Sequence, residues 1–123
     1  MEEGFDRDAI LDWIGRIERG PYASLCFGER ISFRNPDAIS LMAACAVLTR
    51  RVRLVTTVMI APIHGPVLLA KQCATIDMLS GGRLTLGVGI GGREEDFRAT
   101  GTDLALHHND RLGELVGMMR RVW

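Results

Sequence analysis

The stretch PVLLAKQCATIDMLSGGRLTLGVGIGG, Pro66 to Gly92, decides the fold. Proline opens a helix at a position where its missing N–H costs nothing, and Leu69, Cys73, Ile76 and Leu79 recur at the three-and-four spacing of one helical face. Ser80, Gly81 and Gly82 end that helix, because glycine accepts the left-handed backbone that closes one. Arg83 to Ile90 then alternates, with Leu84, Leu86, Val88 and Ile90 on one face of a strand and Thr85, Gly87 and Gly89 on the other. A face made of glycines predicts that something large, either packed side chains or a ligand, comes close to the backbone there.

Working outward, Asp6 reads as the N-cap of a helix whose apolar face is Ile10, Trp13, Ile14 and Ile17 and which stops at Gly20 and Pro21. Tyr22 to Gly28 is short and apolar, a strand expected to be buried on both faces, with Glu29 and Arg30 at its C-terminal end. Asn35, Pro36 and Asp37 start a second helix, read as a capping side chain, a proline in the first turn and an acid near the positive end of the dipole, that runs to about Leu48. Val52 to Ile60 is rich in β-branched residues and reads as a buried strand, with Ala61 to Gly65 as its exit loop. A charged loop, Arg93 to Asp103, follows the last strand. His108 to Trp123 closes the chain as an amphipathic helix with Leu112, Leu115, Val116, Met119 and Trp123 on its apolar side. Strands starting near residues 22, 52 and 83 alternate with helices, which argues for a parallel sheet wound right-handed. Two architectures fit this α/β pattern: an open doubly wound sheet, and an arc of a (β/α)8 barrel, whose full form needs about 250 residues.

The composition excludes several classes. Fifteen basic and fifteen acidic residues cancel, leaving no positive field for nucleic acid or an anionic membrane. No apolar run approaches the roughly 18 residues that span a bilayer, and MEEGFD lacks the features of a signal peptide, so the expected location is cytoplasmic. Cys26, Cys45 and Cys73 are odd in number and set among apolar residues, and they read as buried free thiols.

Gly87, Gly89 and Gly92 satisfy G-x-G-x-x-G, the dinucleotide fingerprint, but Arg93 is followed by Glu94, Glu95 and Asp96, three carboxylates where a pyrophosphate should dock. A Rossmann NAD-binding domain is the weaker reading for that reason. The histidines suggest no zinc site, since His107 and His108 are adjacent and His64 stands alone before a helix. No G-x-S-x-G elbow supports a serine nucleophile. Both architectures bind ligands at the carboxyl ends of their strands, which gathers Glu29 and Arg30, Thr57 and Val58, and Ile90, Gly91 and Gly92 as candidates. The structural alternative for Glu29 and Arg30 is a local ion pair.

The run HGPVLLAKQCATIDMLSGGRLTLGVGIGGREEDFRATG, His64 to Gly101, resembles the luciferase-like flavin-dependent monooxygenase and reductase family, with its A-K-Q-x-A-T-x-D-x-L-S-G-G-R-x-x-L-G-V-G-x-G pattern and acidic E-E-x-F. RLGELVGMMRRVW is similar to that family's R-L-x-E-x-x-x-x-L-R-x-x-W helix. GPYASLCFGER looks like its second strand, with Arg30 where other members often carry a histidine. The resemblance covers the chain from about Asp6 to Trp123 and implies a partial (β/α)8 TIM barrel, about strands 2–4 with their helices, as one incomplete domain over residues 1–123. A first strand and the units beyond the fourth helix are expected to lie outside it.

The implied cofactor is reduced FMN or, as an alternative, the deazaflavin coenzyme F420, held at the C-terminal mouth. The family often carries a non-proline cis peptide near the end of its third strand, against which the flavin rests, and the matching position is Thr57-Val58. By the same resemblance Ile90 and Gly91 approach the cofactor, Glu95 falls near it, and Glu29 and Arg30 stand at the catalytic position. The implied activity is oxidation of a small organic substrate by reduced flavin and O2, or hydride transfer with the deazaflavin. A flavin reductase and a second copy of the chain are the implied protein partners. A reading from another class is a non-catalytic barrel fragment acting through its exposed edges.

Overall fold

The computed structural model describes residues 6–106 and 109–123. Helix α1 (Arg7–Arg19) leads to β1 (Ser24–Phe27), α2 (Ala38–Leu48), β2 (Arg53–Thr56), β3 (Met59–Ile60), α3 (Pro66–Ser80), β4 (Leu84–Thr85), β5 (Val88–Gly89), α4 (Glu94–Thr100) and α5 (Asn109–Val122). Single 3-10 turns lie at Ala61–Ile63 and Leu104–Leu106. His107 and His108, read above as unlikely metal partners and as the start of the closing helix, lie outside the described residues.

Local chemistry sets most boundaries. The Asp6 carboxylate accepts from the Ala9 N–H at 2.8 Å and caps α1 as expected. The cap of α2 is Asp37, which accepts from the Ser40 N–H at 2.7 Å. Asn35 does not cap: its amide donates to the Pro36 carbonyl, so Pro36 precedes the helix rather than sitting in its first turn. Gly81, at φ 69°, closes α3 with its own N–H on Met78 and the Gly82 N–H on Asp77. The expected loop after Arg93 is in part helical. Glu94, Glu95 and Asp96 sit in the first turn of α4, where carboxylates favour the positive end of the dipole.

Every strand pair is parallel. β1, β2 and β4 form one sheet in chain order, and β3 pairs with β5 in a second. The expected long strands are each broken once, at the cis peptide Thr57-Val58 and at Leu86-Gly87. The strand order never reverses, so right-handed crossovers put α2 and α3 on the same side of the sheet, where α3 packs against both α2 and α5. An open doubly wound sheet would reverse its order and use both faces, so the arrangement is that of a barrel arc.

The core lies between sheet and helices. Leu25, Phe27 and Leu54 point into it to meet Met42, Cys45, Leu69, Cys73, Ile76 and Met119. The opposite, inner face is open, which corrects two expectations: β1 is buried on one face only, and Cys26 is exposed while Cys45 and Cys73 are buried. Trp13 and Leu79, each placed on a buried face by periodicity, are both 45% exposed, because they stand at the edge of their stripes.

Arginines fasten the N-terminal ends of the strands. Arg83 donates to the carbonyls of Ala46, Thr49, Val52 and Ser80 and to the Thr49 hydroxyl. Arg51 reaches the carbonyls of Ile17, Glu18, Gly20 and Tyr22. Both groups include the orphan carbonyls of a helix C-terminus. The Glu18 carboxylate accepts from the N–H groups of Arg50, Arg51 and Val52, and although burial pushes its pKa up, these bonds hold it below its ordinary value.

The glycine face is filled by protein. A Cβ on Gly87 would overlap the Thr56 carbonyl oxygen, and one on Gly89 would come within 2.7 Å of the Val58 side chain. The Thr56 hydroxyl also donates to the Gly87 carbonyl at 2.7 Å and accepts from the Gly87 N–H at 2.8 Å. Gly87→Ala is therefore expected to destabilise the chain by about 1–3 kcal/mol in urea unfolding. Gly113→Ala, in α5 with open space around it, should instead stabilise by about 0.5–1 kcal/mol.

Candidate functional site

A cleft of about 430 Å3 opens at the C-terminal ends of the strands. Its walls come from three successive exits. Gly28, Glu29 and Arg30 follow β1, Thr57, Val58 and Ile60 surround the break between β2 and β3, and Gly91, Gly92, Arg93 and Asp96 lead from β5 into α4. A smaller cavity of about 250 Å3 adjoins it, sharing Glu29 and Arg30 and reaching Asn35 and Asp37.

Glu29 is buried, and both of its oxygens are engaged. Oε2 accepts from the Ile60 N–H at 2.6 Å, and Oε1 lies 2.8 Å from Nε2 of His64. The Ile60 bond supplies a backbone donor with the partner it needs when buried. Glu29 thus ties the end of β1 to the chain beyond the cis peptide. A carboxylate fixed in this way sets the shape of the cleft wall.

Arg30 and Asp96 form the second pairing. The fully buried Asp96 accepts through Oδ1 from both the N–H and the hydroxyl of Ser32, each at 2.8 Å. Its Oδ2 lies 3.5 Å from Nε of Arg30, and neither of these two buried atoms completes a hydrogen bond. Burial pushes the Asp96 pKa up, but the Ser32 bonds and the Arg30 charge outweigh it and hold the carboxyl below its ordinary value. The Arg30 guanidinium also lies 5.2 Å from the centre of the Phe33 ring. Glu29 and Arg30 therefore do not form the local ion pair considered from sequence, since each is claimed by a partner from a later element.

Of the residues singled out from sequence, the cleft brings together Glu29, Arg30, Thr57, Val58 and Gly91. The Thr57-Val58 peptide is cis, with the Val58 side chain partly exposed beside it. Gly91 has φ 73° and no room for a side chain, because a Cβ would meet Ile60 and Phe97. Ile90 and Glu95 are not among the lining residues: Ile90 is half-buried, and Glu95 is exposed on α4. Sequence reasoning missed His64 and Asp96. His64 carried only its place before a proline. Asp96 stood in an acidic run, and its Ser32 partner lies 64 positions away, so no local pattern marks it. No helix among the described residues is long and apolar enough to cross a membrane.

Comparison with known proteins gives consistent findings. A family model described as luciferase-like monooxygenase matches residues 1–123. The 4-hydroxyprotoasukamycin monooxygenase of Streptomyces nodosus subsp. asukaensis is 44% identical over 101 residues, covering 78% of this chain and 26% of the relative. The pyrimidine monooxygenase RutA of Pantoea ananatis is 30% identical over 103 residues, or 79% of this chain and 28% of the relative. Among solved structures, monooxygenase RslO1 from Streptomyces bottropensis superposes with a TM-score of 0.82 at 29% identity, over 93% of this chain and 36% of that one. The oxygenating constituent of 3,6-diketocamphane monooxygenase from Pseudomonas putida, in complex with FMN, gives a TM-score of 0.86 at 21% identity, over 100% of this chain and 36% of that one. The chain thus spans between 26% and 36% of the length of these proteins.

The Asp96 pairing has a consequence for acid stability. Because the folded carboxyl titrates below its ordinary 3.8, its contribution is complete at neutral pH and is lost as pH falls through the folded value. Asp96→Asn is expected to lower stability at pH 7 by about 1–3 kcal/mol. It should also flatten the fall in stability on the acid side of 3.8, as read by urea unfolding across pH.

Proposed function

We propose that this chain, which belongs to the luciferase-like monooxygenase family, contributes one wall of the flavin site of an oxidoreductase that oxidises a small organic substrate. The observation that carries the reading is the convergence of three strand exits on one cleft at the C-terminal ends of a parallel barrel arc, where barrels of this kind hold their ligands. Its volume of about 430 Å3 lies within the range of small-molecule and cofactor sites. Its residues fit a planar group: Val58 offers an apolar side chain at the break in the strand, and Gly91 and Gly92 contribute bare backbone to the lining. Buried Arg30 Nε and Asp96 Oδ2 leave polar capacity at the same mouth.

A bound reduced flavin would supply the redox chemistry with O2, and this chain's residues would position and shield the reactants. Thr57, Val58 and Gly91 would hold the ring. Glu29 acts through the backbone, fixing the β3 wall by its bond to Ile60, and His64 closes its second oxygen. A guanidinium carries donors and no acceptor, so Arg30 offers hydrogen bonds rather than removing a proton. Ile90 and Glu95, outside the cleft lining, are left to second-layer contact with the cofactor.

FMN is the preferred flavin, with the deazaflavin coenzyme and hydride transfer as the alternative. The structure sharing this fold over the whole chain was solved with FMN, and the flavin assignment itself rests on the family. A flavin reductase would deliver the reduced cofactor in the cytoplasm, and pairing of two copies would complete the assembly. The 123 residues form a single incomplete barrel domain in this reading, and they are inactive alone.

Fluorescence titration with FMN tests it. The isolated chain is expected to show no stoichiometric endpoint, and tight one-to-one binding would overturn the incomplete-site reading. Joined to the preceding and following parts of the 4-hydroxyprotoasukamycin monooxygenase, the chain should bind FMN and consume oxygen when the flavin is reduced. A joined protein that folds and binds FMN yet consumes no oxygen would favour a non-catalytic module. Preference for the deazaflavin would move the assignment to hydride transfer.

A further inference from the structure

The charged groups around the cleft divide into those already engaged and those left open. The two lining carboxylates are largely engaged: Glu29 holds the Ile60 N–H and His64, and Asp96 holds both donors of Ser32 and faces Arg30 Nε. Arg30 is different. Its Nε lies 3.5 Å from Asp96 Oδ2 without a hydrogen bond, its guanidinium is 5.2 Å from the centre of the Phe33 ring, and its two Nη groups donate to no described residue. The side chain is 34% exposed and lines both cavities. Arg93, exposed, adds a second positive charge to the wall of the larger one.

We propose that Arg30 is a specificity-determining residue that receives the carboxylate of a small organic acid at the edge of the cleft. The proposal rests on the reading of the cleft as part of an oxidoreductase site and names the class of organic substrate brought to it. The two Nη groups present a planar edge with parallel donors, the geometry that matches a carboxylate with two hydrogen bonds. A guanidinium placed between the Asp96 charge and the Phe33 ring has part of its freedom already restricted, which lowers the cost of binding.

The test needs no flavin, so its failure is distinguishable from failure of the flavin reading. Benzoate, and benzamide as its neutral counterpart of the same shape, are titrated into the 123-residue chain while the Arg30 Nε–Hε signal and the Ser32 and Ile60 amide signals are followed by NMR, the amides reporting binding in the Arg30 variants. Benzoate is expected to shift that signal saturably and benzamide to leave it unmoved. Arg30→Gln should weaken benzoate binding by about tenfold, the scale of a lost two-bond ionic contact, whereas Arg93→Gln should change it by less than about twofold. Arg30→Lys keeps the charge and should still lose most of the affinity. It decides the matter if Arg30→Gln does not fold, as judged by the Ser32 and Ile60 amide signals. Equal binding of benzamide, or benzoate binding that survives both Arg30 substitutions, would overturn the proposal. So would inorganic phosphate that displaces benzoate at equal or lower concentration, because the site would then belong to a phosphate, such as that of the flavin.

Discussion

The hydroxyl of Thr56 sits between the N–H and the carbonyl of Gly87, accepting from one at 2.8 Å and donating to the other at 2.7 Å. The Gly87 carbonyl also accepts from the Met59 N–H at 2.9 Å, but the Gly87 N–H lies where the ladder is interrupted, between the register at Val55 and Thr85 and its resumption at Met59 and Val88. Left unmade in a partly buried setting, the bond from that N–H would cost about 1–3 kcal/mol. The side chain therefore lets two neighbouring strands break at the same level without leaving polar groups stranded. That shared break brings Thr57 and Val58 to the mouth and makes the cleft an extension of the sheet rather than of a loop. Serine could make the same bonds, but the β-branched threonine is stiffer at χ1 and suits a strand.

The architecture was legible because its signals are periodic and local. Proline at one end of α3 and two glycines at the other bound a helix of the expected length, and the alternation after Arg83 gave the strand and its glycine face. Asp6 could be read as a cap from its position alone. Where the reading failed, the deciding interaction was remote. Asp37 rather than Asn35 caps α2, because three oxygen-bearing or imino residues stand in a row and only the approach of the Ser40 N–H separates them. Trp13 sits on the right stripe of α1 and still faces solvent, since the stripe is wider than the groove it enters.

The site was legible by position and not by pairing. Strand ends placed Glu29, Arg30, Thr57, Val58 and Gly91 together, because parallel strands in one arc share a C-terminal edge. Their partners could not be read the same way. Glu29 meets His64 across 35 positions, and Asp96 meets Ser32 across 64, distances at which a single sequence carries no periodic trace. What the glycine face accommodates was also ambiguous. Room for a ligand and room for a neighbouring strand leave the same pattern, and at Gly87 and Gly89 the occupant is the Thr56–Val58 segment.

The arginines show how the two ends of one sheet are put to different uses. At the N-terminal ends, Arg83 places all three nitrogens against oxygen acceptors, in five bonds that gather the last carbonyls of α2 and α3. Arg51 does the same for the end of α1. A guanidinium satisfied to this extent has no donors to offer a ligand, and its contribution is to hold the helices in register with the strands. At the C-terminal ends no helix terminus presents carbonyls to Arg30. The helix there, α4, turns Asp96 of its first turn toward the strand exits, and that buried acid lies 3.5 Å from one nitrogen of Arg30 only. The direction of the helices thus decides which arginines become scaffold. Carbonyl-rich helix ends consume their donors at one edge of the sheet, and the dipole's positive end leaves them open at the other.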